Sequence, residues 1–407
     1  MAEESFARPD ALTPVTDGTT ESQLQHISAS FSYPVYFTRS VFAAANPLLA
    51  DLVRSAVPES ANTLVYLDNG LIEAQPQLPR DIAAYFDHQL PQAPAPRIAV
   101  LPGGEQIKDG WPNAMRVLDE ALSFRLCRHS PVIAVGGGAF LDAVGLGAAL
   151  AHRGVRLIRL PTSTLSQCDS GVGVKVGINQ GKLKNAIGVF APPFAVINDL
   201  NLLRTLPQDV LLDGIAEAFK VAIIRDRDFF TFLAANASKF PQRCWEEIET
   251  AVRRSALLHM DHIRLSGDPF ELGSVRPLDF GHWSAHWLEG ASGFSVRHGQ
   301  AVSIGLGLDS AYARNLALIS NAELDSILTV LSQSGLPLWH PLLESLDGCH
   351  ELRLLDGLRQ FREHLGGDLH ITLPAGIGGK VEVTEMDPAR IVDAVRTLKR
   401  FGGRSCG

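Results

Sequence analysis

Five short β-like runs, TLVYLD (63–68), RIAVLP (97–102), PVIAVGGG (131–138), RLIRLPT (156–162) and FAVINDL (194–200), recur with helical patterns between them. This alternation predicts a parallel sheet covered by helices, and it constrains the first half of the chain to an α/β architecture. WPNAMRVLDEALSFRL (111–126), with apolar residues three and four apart, is one expected covering helix. Beyond about residue 205 the texture changes to long helical patterns such as PQDVLLDGIAEAFKVAIIRD and HGQAVSIGLGLDSAYARNLALI. The 407 residues are therefore expected to divide into a polar tail (1–28), an α/β domain (29–203) and an all-α domain (204–407).

Composition narrows the partners. A net charge of −8 and the lack of any basic block argue against a nucleic-acid surface or an anionic membrane. Apolar stretches such as AFLDAVGLGAALAHRG are interrupted by Asp, Gly and His before eighteen residues, so no membrane span is expected. The opening MAEESFARPDALTPVTDGTTESQ lacks a basic start and an apolar core, and reads as neither signal peptide nor anchor. Five scattered cysteines without a CxxC pair predict no disulfide framework and fit a reducing cytoplasm. Small-molecule partners are the expectation that remains.

Gly136, Gly137 and Gly138 stand directly after an apolar strand and before a helix. Without Cβ atoms a ligand can approach such a turn closely, and the following helix N-terminus offers free N–H groups to a diphosphate. The spacing is not GxGxxG, so a plain tight turn is the competing reading. Asp68 and Asn69, and Glu105 and Lys108 in PGGEQIK, should lie at carboxyl ends of the same sheet, where dinucleotides bind. The segment PTSTLSQCDSGVGVKVGINQGKLKNAIGVF (161–190) reads as a polar, glycine-rich loop. Its Lys175, Asn179, Lys184 and Asn185, with Arg153 in HRGVR, suit a phosphorylated substrate.

DFGHWSAHWLEGASGFSVRHG (279–299) holds His282, His286 and His298. The i, i+4 spacing of His282 and His286 puts both on one helix face, as in HExxH zinc sites, although no Glu follows His282. His298 and Glu217 in GIAEAFK are further candidate ligands, and a His/carboxylate set favours zinc or a similar ion with one position open.

Taken together, GGGAFLDAVG, HRGVRLIRLPTSTLSQCDSGVGVKVGIN, KNAIGVF, GIAEAFK, DFGHWSAH and RHGQAV resemble the dehydroquinate-synthase-like sugar phosphate cyclases, in order and close to spacing, over residues 60 to 310. The resemblance implies a Rossmann-like NAD-binding domain followed by a helical domain that binds metal and substrate. It implies zinc, with cobalt as an alternative ion, on Glu217, His282 and His298, so that His286 faces substrate rather than metal. For NAD it implies Asp68, Glu105, Lys108, Gly137, Gly138, Asp142, Thr162, Ser163 and Lys184, with Thr205 and Leu206 closing the pocket. Asp169, Lys175, Asn185 and Lys220 would meet a phosphorylated sugar. Arg153 would reach in from the second subunit of a homodimer. The implied reaction is a redox-neutral phosphate elimination with ring closure, in which NAD takes up and returns a hydride.

The chain departs from dehydroquinate synthases where they receive a substrate carboxylate. Their Lys, Arg and the Asn of LNxGH are replaced here by Asp261, Val275 and Asp279, with Arg276 one residue from the expected arginine. Negative charge at such a place opposes an anion. Asp before xGH and the tail FREHLGGDLHITLPAGIGG (361–379) resemble instead the members that cyclise sedoheptulose 7-phosphate to valiolone-type cyclitols. His286 departs from those members, which often carry Pro; Arg362 or His364 would replace the family's C-terminal phosphate lysine. Alternatives are 3-dehydroquinate synthase, a metal-dependent NAD-linked alcohol dehydrogenase, and a cyclase-derived binding module without activity.

Overall fold

The central strands are apolar at nearly every position because helices cover both faces of their sheet. The computed structural model describes residues 25, 27, 29–56, 61–181, 183–265, 270, 277–364 and 369–402. Most of the expected tail, Val275, Arg276 and the side chain of His364 lie outside the described residues. In chain order the first half runs β1 (Val35–Thr38), α1 (Leu48–Ala56), β2 (Leu64–Asp68), α2 (Asn69–Ala74), α3 (Leu78–Gln89), β3 (Arg97–Leu101), α4 (Pro112–Ser123) and β4 (Pro131–Gly136). It continues through α5 (Gly138–Leu150), β5 (Arg156–Pro161), α6 (Thr164–Cys168), β6 (Lys175–Gln180), β7 (Leu183–Phe190) and β8 (Ala195–Asp199).

Six strands form one parallel sheet in the order β1-β8-β5-β4-β2-β3. Leu64, Tyr66, Val132 and Ala134 pack on one face against Val117 of α4 and Phe140 of α5. Val65, Leu67, Ile133 and Val135 point the other way, against Leu49 of α1 and Ile82 of α3. From β2 the chain lays β3 on one side and returns to lay β4 on the other. A crevice therefore opens between the carboxyl ends of β2 and β4, where Asp68 and the glycine turn stand.

The segment expected to be a loop over 161–190 is instead largely ordered, as α6 and the antiparallel hairpin β6–β7. Val176 and Ile178 are buried, and a Cβ on Gly177 would come within 2.7 Å of the Ile187 carbonyl. Glycines that look like loop punctuation are here close-approach positions within a ladder.

The second half comprises α7 (Gln208–Arg225), α8 (Arg227–Ala235), α9 (Trp245–Leu265), α10 (His282–Ala291), α11 (His298–Asn315), α12 (Asn321–Gln333), α13 (Leu355–His364), β9 (Ile371–Pro374), β10 (Lys380–Val383) and α14 (Pro388–Gly402). Among the described residues it is helical apart from the antiparallel pair β9–β10. Every residue of α7 from Leu211 to Ile224 is buried, Asp213, Glu217 and Lys220 included. Charged groups so enclosed need partners or a bound ion. No helix among the described residues is long and apolar enough to cross a membrane.

Candidate active site

Three close helix contacts, each made possible by a glycine, assemble the site. A Cβ on Gly214 would lie 2.4 Å from the Thr164 carbonyl carbon, so α7 abuts α6 and brings Lys220 to Asp169, the residue that follows α6. A Cβ on Gly299 would lie 2.4 Å from Asp213 Cα, so the first turn of α11 presses on α7 one turn before Glu217. Arg297 locks this contact, donating from Nε to Asp213 at 2.9 Å and from Nη1 to Asp209 at 2.6 Å. Gly281, at φ 78°, turns the chain into α10, and buried Asp309 accepts from its N–H at 2.9 Å and from Trp283 Nε1 at 2.8 Å.

These contacts bring Glu217, His282 and His298 together, with one ligating atom of each within 4.8 Å of the others. His282 Nε2 lies 3.8 Å and His298 Nε2 3.4 Å from Glu217 Oε1, which is buried and has no hydrogen bond among the described residues. Both imidazoles are oriented through Nδ1. That of His282 lies 3.0 Å from the Phe280 carbonyl, and that of His298 lies 3.2 Å from Glu289 Oε2. Since a carbonyl and a carboxylate only accept, Nδ1 carries a proton in each ring, and the Nε2 lone pairs, that of His298 once its second proton is lost, can face a common ion. A second grouping, His286, Glu289 and His298, shares one histidine. Its carboxylate is already engaged, because Lys184 Nζ stands 2.5 Å from Glu289 Oε1. The orphaned Glu217 Oε1 makes the first set the better metal cradle, and exposed His286 lies outside it.

Electrostatics follow from this crowding. Burial and the Lys220 charge push His282 below its ordinary value, so it is neutral. Burial also opposes charge on His298, but Glu289 and Glu217 prevail and raise it to about 10. Lys220, buried among acids, bonds Asp169 Oδ2 at 2.8 Å and stands 2.5 Å from Glu217 Oε2. Despite burial, Lys220 and His259, whose Nδ1 is 3.2 Å away, hold Asp169 well below the carboxylate range. Asp279 closes the turn Pro277–Asp279, three residues before His282, and its negative charge acts on His282 and His286.

The crevice gathers most of the other expected residues. Asp68 accepts from Gly70 N–H at 2.8 Å, and a Cβ on Gly103 would lie only 2.0 Å from its Oδ1. Burial pushes Asp68 up, against donors that include the N–H of Gly137. Gly137 precedes α5 without any side-chain cap, and only Ser163 Oγ, at 3.9 Å, would meet a Cβ there. The N–H groups that open α5 are therefore approachable. Lys108 bonds Asp142 at 2.7 Å and also donates to Asn185 Oδ1. Lys184 stands 3.7 Å from Glu105. Thr162 donates its N–H to Gly136, and Ser163 caps α6. Thr205 accepts from Gln75 at 3.2 Å, and Leu206 follows it. Lys175 opens β6 with an exposed side chain. No hydrogen bond or ion pair among the described residues joins exposed Arg153 or Arg362 to this cluster, and Asp261 pairs with Arg264.

Sequence reasoning missed Glu289, His259 and Asp309. Glu289 had one signal, an acid three residues after His286 between apolar neighbours; for the others only the packing reveals the partner.

Residues 98–213 match the family described as 3-dehydroquinate synthase N-terminal, and residues 214–355 that described as 3-dehydroquinate synthase C-terminal. The 3-dehydroquinate synthase of Caldanaerobacter subterraneus subsp. tengcongensis is 31% identical over 373 residues, 90% of this chain and 97% of that protein. The 2-epi-5-epi-valiolone synthase of Streptomyces glaucescens is 32% identical over 380 residues, 92% of each chain. The solved structure of ValA, the 2-epi-5-epi-valiolone synthase of Streptomyces hygroscopicus subsp. jinggangensis 5008 with NAD+ and Zn2+ bound, superposes with a TM-score of 0.81 at 29% identity, over 94% of this chain and 99% of that one. With both halves matched and near full-length relatives above 30% identity, the chain belongs to the 3-dehydroquinate synthase family and is a sugar phosphate cyclase.

Proposed function

We propose that this cyclase depends on NAD and zinc and converts sedoheptulose 7-phosphate, or a close relative without a carboxylate, to a valiolone-type C7 cyclitol. The observation that carries the substrate reading is Asp279, a negative charge felt by His282 and His286 at the position where a carboxylate-bearing substrate needs a neutral or cationic partner. Glu217, His282 and His298 would hold the metal, and the crevice from Asp68 to the Gly137 turn would hold NAD. When bound, these two groups supply Lewis-acid polarisation of a substrate oxygen and a reversible hydride acceptor.

The chain's own residues supply the rest. Lys220 sits between Asp169 and Glu217 and offsets part of their charge, which helps two acids stay ionised in one buried site. Asp169, fixed by Lys220 and His259, orients substrate hydroxyls. Lys175 and Asn185, at the head of β6 and near the start of β7, receive the phosphate, and His286 meets substrate at the mouth of the site. Arg153 completes the phosphate site of a partner subunit in a homodimer.

Similarity to the Caldanaerobacter enzyme supports a second reading, 3-dehydroquinate synthase. Zinc-loaded protein with NAD should release inorganic phosphate from sedoheptulose 7-phosphate. Release only from the carboxylate-bearing heptulosonate 7-phosphate overturns the first reading in favour of the second.

A further inference from the structure

Lys184 sits between the two halves of the molecule. It belongs to β7, whose hairpin forms its own two-stranded sheet apart from the central one. Its ammonium stands 3.7 Å from Glu105 on the nucleotide side of the cleft and 2.5 Å from Glu289 on the helical side. It also lies 5.4 Å from the ring centroid of Phe294. Phe294 has φ 62°, a conformation unfavourable for a bulky residue, just after the end of α10. The strained turn thus presents an aromatic face to the same ammonium that Glu289 binds. Glu289 is almost fully buried, and both its oxygens are committed: Oε1 to Lys184, Oε2 to His298 Nδ1.

We propose that Glu289 is a positioning residue that couples the two cofactor sites, orienting the metal ligand His298 with one oxygen while clamping Lys184 of the nucleotide crevice with the other. The proposal rests on the cofactor reading above. A metal that fixes His298 fixes Glu289, and Glu289 then holds the hairpin toward the crevice. A dinucleotide that orders Lys184 steadies Glu289 and so the imidazole. Linkage makes the effect reciprocal, so each cofactor tightens the other by the same factor.

The test uses the full chain and measures zinc affinity by chelator competition with and without NAD, and NAD affinity by fluorescence titration with and without zinc. In the wild type each should raise the affinity of the other by about tenfold. Glu289→Gln should bring the coupling ratio close to one and weaken zinc by roughly tenfold or more in the high-pH limit, where no proton competes at His298. Lys184→Met touches no metal ligand, yet should weaken zinc several-fold in the absence of NAD; it serves as the second variant if Glu289→Gln does not fold. Binding of both cofactors without coupling overturns the proposal alone. Coupling that survives Glu289→Gln, or zinc affinity unmoved by Lys184→Met, also overturns it. Failure of the wild type to bind either cofactor overturns the cofactor reading and the proposal with it.

Discussion

Zinc uptake by the metal-free protein should expel one proton at neutral pH. The perturbation is metal addition, and the proton is that of His298, which Glu289 and Glu217, against the effect of burial, raise from 6.5 to about 10. His282 contributes none, because burial and Lys220 already keep it neutral. Glu217 contributes none either, because Lys220 outweighs burial and keeps it below its ordinary value. At pH 7.5 the His298 proton must leave a group about 2.5 pH units from its midpoint, which costs roughly 3 kcal/mol and lowers apparent zinc affinity roughly 300-fold from its high-pH limit. Affinity should therefore climb about tenfold per pH unit between 6.5 and 8.5. Calorimetry in buffers of different ionisation enthalpy reads the proton count directly. A count near one supports the geometry; a count near zero with a flat affinity profile refutes the claim that two acids hold His298 charged. The same interaction stabilises the metal-free fold. Because the folded value is raised, that contribution is complete below pH 6.5 and is lost as pH rises through about 10.

Three other outcomes follow from the site. His282→Ala should lose zinc by roughly 100-fold or more, whereas His286→Ala should keep it within about twofold; metal content after dialysis separates them, and equal losses contradict the ligand set. Gly103→Ala should displace Asp68, because its Cβ would lie 2.0 Å from Oδ1, and weaken NAD by about tenfold with zinc unchanged. Asp279→Asn combined with Val275→Arg should improve binding of the carboxylate-bearing heptulosonate phosphate by about tenfold; unchanged discrimination places selection elsewhere.

The parallel sheet was legible because strands buried on both faces are apolar at most positions, and the turn at Gly137 because it follows such a strand. The hairpin over 175–190 was not, since glycines at positions 177 and 188 serve close backbone approach yet look like loop residues. Strand β1, four residues at the sheet edge, is too short to stand out. Within the site, motifs pointed to Glu217, His282 and His298, which the structure brings together, whereas spacing alone pointed to His282 and His286, and exposed His286 lies outside that grouping. Asp309 stayed hidden because a buried acid shows its purpose only through the partner that folding brings to it. Lys184 and His298 are distant in sequence, and both bond Glu289.

The proposed reaction is a redox-neutral ring closure on a sugar phosphate without a carboxylate. NMR of the products from sedoheptulose 7-phosphate and the heptulosonate 7-phosphate supplied together, with absorbance at the NADH band followed throughout, tests it most directly. A valiolone-type carbocycle and one equivalent of phosphate should form from the first sugar, with no net NADH. Accumulation of NADH without a carbocycle, or dehydroquinate as the sole product, contradicts it.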